Sequence, residues 1–144
     1  MKKSLKIMLA VLVVCVIGLF YALQYLSMEF SDGADYTEKD KREYNFYTPE
    51  LLKNMPRVSN AYSFHYSNVS GPNPALTYQV IFFGTTDPFK INAWLEKNGF
   101  KKTEMCNKNR YCWVGQDPNM TVSVGFEENP AAILVQMVDK AGQN

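Results

Sequence analysis

Residues 76–99 read LTYQVIFFGTTDPFKINAWLEKNG, a strand followed at once by a helix with both ends marked. In the first eight residues apolar and polar side chains alternate, then apolar ones occupy both faces, the pattern of a strand with neighbours on either side. Asp87-Pro88 supplies a capping acceptor and a residue whose φ is preset for the first helical turn. Ile91, Trp94 and Leu95 then share one face, and Gly99 suits a left-handed C-terminal cap. The stretch therefore predicts a strand over 76–83 and a helix over 87–98. An amphipathic helix next to a strand of this kind needs a second layer to bury its apolar face.

Downstream, 100–106 and 111–115 form a hairpin pattern around NKNR, and 120–126 alternates Met120, Val122, Val124 and Phe126 with Thr121, Ser123 and Gly125. Residues 132–138 are apolar on both faces. The connections are short, which predicts antiparallel pairing. Upstream, Tyr62, Phe64 and Tyr66 alternate with Ser63 and His65 as a half-buried strand. Thr48-Pro49-Glu50 reads as a helix start with Thr48 as N-cap, giving a short helix over 49–55 that Pro56 stops and whose apolar face is Leu51, Leu52 and Met55. The expectation is an α+β domain in two layers. It has a mostly antiparallel sheet of five to six strands, with helices 49–55 and 87–98 on one face.

Residues 27–47 read as a linker, broken by Asp32-Gly33 and crowded with charges of both signs at 38–43. Tyr44, Phe46 and Tyr47 are expected to dock already onto the domain.

Residues 7–26, IMLAVLVVCVIGLFYALQYL, carry no charge and one strong polar group, Gln24. As a helix they span roughly 30 Å, the thickness of a bilayer core. Tyr21 and Tyr25 fall at the far end, where amphipathic rings favour the interface. Lys2, Lys3 and Lys6 lie only on the near side, so the positive-inside rule puts 1–6 in the cytoplasm and 48–144 outside. A cleaved signal peptide is the rival reading. The run is long for one, and no small-x-small site follows it. Val14 before Cys15 argues against a lipobox. The MKKSLK start and anchor resemble those of many small bacterial envelope proteins, a general likeness of the N-terminal segment. The expected location is a bacterial inner membrane, single-pass, with the C-terminal domain in the periplasm.

Apolar residues make up 47% of the 144 and charged ones 20%, which excludes wholesale disorder. Without the three N-terminal lysines, 12 Lys/Arg face 14 Asp/Glu, a balance of −2. No nucleic-acid footprint is expected from that.

Few residues invite chemistry. Cys106 and Cys112 flank NKNRY. In a hairpin symmetric about Asn109 they stand opposite each other, which predicts a disulfide. With one distant histidine they make no tetrahedral metal set, and no metal or cofactor is expected. His65, the single histidine, reads as a surface residue on the polar side of its strand, with general-base chemistry as the alternative. Glycines occur singly and form no phosphate loop. Two loops are candidate partner-binding sites. The first, 67–75, is stiffened by prolines and offers Ser67, Asn68, Pro72, Asn73 and Pro74. The second is the hairpin tip, with Lys108, Arg110, Tyr111 and Trp113, although burial in the core is the favoured reading for Trp113.

The expected function is a non-catalytic, membrane-anchored interaction module with a protein partner. It could serve as an inhibitor or immunity-type protein, an accessory subunit of an envelope complex, or a regulator of a sensor protein. The alternatives are a hydrolase that uses His65 with a carboxylate, and a sensor with an apolar ligand pocket between helix and sheet.

Overall fold

The computed structural model describes residues 2–107 and 109–140. It divides into two compact units, Met1–Ser31 and Asp32–Asn144. The first is a single helix, α1 (Lys2–Glu29). Its apolar side chains from Leu5 to Leu26 point outward all round, each at least half exposed. A helix apolar on every side has no polar face to give to water. At 28 residues it is long and apolar enough to cross a membrane.

The second unit is an α+β domain built on one antiparallel sheet. Its strands are β1 (Gly33–Tyr36), β2 (Tyr62–Val69), β3 (Ala75–Phe83), β4 (Lys101–Asn107), β5 (Arg110–Val114), β6 (Met120–Glu128) and β7 (Ala131–Asp139). They lie in the order β1-β2-β3-β7-β6-β5-β4. Seven strands exceed the expected five to six, and the additional one, β1, comes from the segment read as a linker. That segment also carries α2 (Lys41–Tyr47). The physical reason is aromatic burial: Tyr36 and Tyr47 are 4% and 6% exposed. Tyr36 stacks on Phe64 at 5.7 Å, Tyr47 stacks on Tyr66 at 4.4 Å, and Tyr44 meets Phe64 edge-on at 5.3 Å. Phe46 remains 40% exposed. Ring pairs of this kind contribute beyond their buried area, which is how a charged, Gly-containing segment is held on the sheet.

Strand register separates the two faces. Phe64, Val80, Val135, Val124 and Tyr111 lie in one row, and Tyr66, Tyr78, Met137, Val122 and Trp113 in the next. Their side chains include most of the fully buried ones, with Val80, Val135, Val122 and Trp113 at 0% exposure. On the opposite face of the same strands Gln79, Gln136, Ser123 and Cys112 are only half-buried. This asymmetry places the helical layer on the first face. Burial pushes the Tyr78 hydroxyl up to about 12, and it pushes Tyr36 to about 12 against the lowering effect of its Thr48 hydrogen bond.

α4 (Phe89–Lys97) buries Ile91 and Leu95 completely. Asp87 Oδ1 accepts from the Phe89 amide at 3.0 Å, so the anticipated acceptor is in place, two residues before the first helical residue, with Pro88 at the cap position. At the other end Gly99 has φ +84. The Phe100 amide donates to Leu95 O and the Gly99 amide to Glu96 O, the two bonds of a Schellman closure.

α3 (Glu50–Lys53) is shorter than the expected 49–55, and Thr48 does not cap it. The Thr48 hydroxyl instead donates to Tyr36 Oη at 3.0 Å within the core. The carbonyls at the end of this short helix are taken by Arg57. Its Nη1 donates to Leu52 O at 2.9 Å and Met55 O at 2.8 Å, and Nη2 donates to Lys53 O at 3.3 Å. Nε and Nη2 also hold Glu38 Oε1 at 2.9 and 2.6 Å, and Nη2 reaches Tyr44 Oη at 3.2 Å. The guanidinium lies 5.3 Å from the Tyr62 ring and 5.4 Å from the Phe64 ring. One side chain thus ties the β1–α2 turn, the end of α3 and β2 together.

Candidate functional site

The structure places the residues singled out by sequence at separate points of the sheet. Ser67 and Asn68 lie within β2, half-buried, and the Asn68 amide donates to Asp32 O at 2.8 Å. The exposed loop is 70–74, with Pro72, Asn73 and Pro74. Register puts Ser67 in one row with Thr77, Val138, Thr121, Val114 and Lys101. Arg110 shares a row with Gly125, Leu134, Ile81 and Ser63, four residues along each strand from that end. Strands rise about 3.3 Å per residue, so the two loops stand roughly 13 Å or more apart, at opposite ends of the sheet. They cannot form one compact site.

At the hairpin tip Asn109 adopts a left-handed φ of 64. Lys108 lies outside the described residues. Tyr111 is half-buried, and Lys102 Nζ sits 3.7 Å from its ring centroid. Trp113 leaves the candidate set: it is 0% exposed, because it falls on the helix-covered face.

Cys106 and Cys112 are joined in a disulfide with Cα atoms 5.7 Å apart. The expected symmetric register is not the one found. Met105 pairs with Tyr111 and Asn107 with Arg110, with irregularities between them. A bulge adds a residue on one strand and bends it, and Cys106 reaches Cys112 within that bend. Opening so short a loop is expected to cost about 2 kcal/mol. Thermal unfolding of the full chain with and without reductant measures this, and Cys112→Ser is expected to reproduce the shift. A reductant effect that persists in Cys112→Ser would mean the loss lies elsewhere.

The face left open by the helices carries a row of polar side chains, Asp35, His65, Gln79, Gln136 and Ser123, which ends at the disulfide-bonded Cys112. His65 Nδ1 is 2.7 Å from Asp35 Oδ1, which favours the tautomer with the proton on Nδ1 and leaves Nε2 for an outside group. Both side chains meet solvent, Asp35 at 87% and His65 at 39%. Beside this row lie Ile81 and Leu134, paired across β3 and β7, and Phe83, 43% exposed.

Arg110 crosses the row on this face. Its Nη1 donates to Gln136 Oε1 at 2.8 Å, two strands away. Gly125 on the intervening strand makes this possible: a Cβ there would stand 2.8 Å from Arg110 Cγ and 3.3 Å from its Nε. A depression of about 190 Å³ opens here, lined by Asn109, Arg110, Gly125, Phe126, Glu127 and Leu134. Asp35, Gly125 and Gln136 were not singled out by sequence. The available signal was Gly125, an isolated glycine in an otherwise clean alternating strand, which marks close approach by another group.

Among the described residues no group of three or more His, Cys, Asp or Glu side chains is arranged to hold a metal ion. No protein-family model matches the chain, and comparisons with curated proteins and with solved structures give no match either.

Proposed function

We propose that this protein is a non-catalytic interaction module, held at a bacterial inner membrane by α1, which offers the open face of its sheet to a protein partner in the periplasm. The single observation that carries this reading is the uncovered face. It sets Asp35, His65, Gln79, Gln136 and Ser123 on five strands beside Ile81, Phe83 and Leu134 on β3 and β7, the mixture found at transient protein interfaces. The lysines at positions 2, 3 and 6 support a cytoplasmic N-terminus, and the Cys106–Cys112 disulfide fits an oxidising compartment. Anchoring would raise the effective concentration of this face near a membrane partner.

The test is photocrosslinking in native membranes with the full chain. A crosslinking side chain replacing Gln79 on the open face is expected to capture one discrete protein, and the same group at Glu96 on the helical layer is not. Equal capture from both positions, or none from Gln79, defeats the proposal. The Asp35–His65 pair is the observation that favours the hydrolase reading, since it brings the histidine to a carboxylate. Its exposure weighs against that reading, because general-base chemistry relies on a site that limits water. His65→Ala in the same membranes decides: a lost phenotype with the Gln79 adduct intact points to chemistry at His65.

A further inference from the structure

We infer that the Arg110 corner of the open face is a carboxylate-reading subsite, which takes an aspartate or glutamate side chain of the protein partner. This inference rests on the interaction reading and adds the chemistry that the partner must bring.

Three observations converge. The guanidinium is held in place before any ligand arrives: Nη1 is fixed on Gln136 Oε1 at 2.8 Å, and the stem lies across Gly125. An arginine fixed in advance loses little side-chain entropy on binding and presents its remaining donors in a planar fork. Among the described residues no carboxylate lies within ion-pair distance of it. Arg42, Lys53 and Arg57 do have such partners, and Arg57 is fully engaged in holding the fold. Arg110 is thus a positioned cation with no carboxylate partner among the described residues.

The surroundings narrow the ligand. Leu134 lines the depression, and Ile81 pairs with Leu134 on the adjoining strand. Apolar side chains flanking the acid would rest there. Glu127 lines the same depression on the β6 side and makes no ion pair with Arg110. It disfavours a bare anion and suits a carboxylate with an N–H donor beside it, which is what an acidic residue within a peptide provides. A phosphate places more negative charge beside Glu127 and fits this pair less well.

The test uses the full chain in detergent micelles and two synthetic peptides, Ac-LAELA-amide and Ac-LAQLA-amide, titrated by NMR. The glutamate peptide is expected to bind at least about fivefold more tightly than the glutamine peptide, since a charge-assisted bond replaces a neutral one. Arg110→Gln is expected to erase that preference, with the disulfide and thermal midpoint unchanged. Gly125→Ala, which displaces the arginine stem, is expected to reduce it. Equal affinity for the two peptides overturns the inference. So does a preference that survives Arg110→Gln, or the absence of binding by either peptide at millimolar concentration. Free glutamate competing at the same concentration as the peptide would also overturn it, by showing a small-molecule site. If the Gln79 crosslink forms while the peptide preference is absent, this inference fails and the interaction reading stands. If the preference is present and the crosslink is not, Arg110 still reads a carboxylate, but the interaction reading fails and with it the assignment of that carboxylate to a protein partner.

Discussion

Trp113→Ala is expected to destabilise the domain by about 3–5 kcal/mol, the range for removing a fully buried aromatic side chain. Trp113 is 0% exposed on the helix-covered face, in register with Val122 and Lys102. Its Nε1 finds no acceptor among the described residues. Trp113→Phe removes that unsatisfied donor along with some volume, so its loss is expected to be much smaller, about 1–2 kcal/mol. Thermal or urea unfolding of the full chain, followed by near-ultraviolet circular dichroism, ranks the two. If Trp113→Ala leaves stability unchanged but abolishes the Gln79 crosslink, the residue is a contact anchor and its burial is wrong.

That residue shows where sequence legibility ends. Burial of Trp113 is the favoured sequence reading and is what the structure has, but RYCWV alone does not fix the inward face, because Tyr111 and Trp113 alternate with a cysteine and a valine that also tolerate burial. Only the pairing with Val122 and Val124 decides, and pairing is a long-range property. By contrast most of α4 was legible, since its signals are local: the Asp87 acceptor, the Ile91 and Leu95 face, and the glycine closure, although the helix begins at Phe89 and Trp94 is only half-buried. β1 was invisible for the opposite reason. GADY has four residues, two of them poor strand formers, and it is held by Tyr36 and by pairing with residues 64–67, some thirty positions away. Missing β1 also hid Asp35, and with it the partner of His65. The cysteine pair could be read from the sequence, but its register could not, because the bulges of β4 leave no compositional mark.

Arg57→Ala carries the second large effect, an expected loss of about 2–4 kcal/mol. Removing one partner of a well-shielded ion pair strands the other, and here three backbone carbonyls lose a donor as well. Partial exposure of the guanidinium, 22%, keeps the figure below that of a fully buried pair. Arg57→Lys is expected to restore less than half of the loss, since an ammonium cannot hold Glu38 through two nitrogens and reach the α3 carbonyls together. There is also an acid signature. Burial acts to raise the Glu38 carboxyl, but hydrogen bonds from Arg57 and Tyr62 and the Arg57 charge outweigh it and hold it below its usual value of 4.5. A depressed carboxylate contributes stability that is present above its unfolded value and lost as pH falls through the folded one. The parent should therefore lose stability below pH 4.5, and Arg57→Ala should lose less over the same range. Parallel pH–stability curves for the two proteins would show that the pair does not supply this linkage.

The position of β7 has a further consequence. It is the latest strand in the chain, yet it is the fourth of seven in the sheet, with β3 on one side and β6 on the other. Until it arrives, β1–β3 and β4–β6 are two separate ribbons, each with a bare inner edge. A chain that emerges from its N-terminus onward cannot join them early. Its pairs with β3 lie far apart in sequence, Phe83 with Ala132 for instance, which slows folding through the entropy of closing that span. The sheet is thus kept unfinished until β7 itself has been delivered. A single strand made late then acts as the keystone, joining two separate ribbons into one sheet.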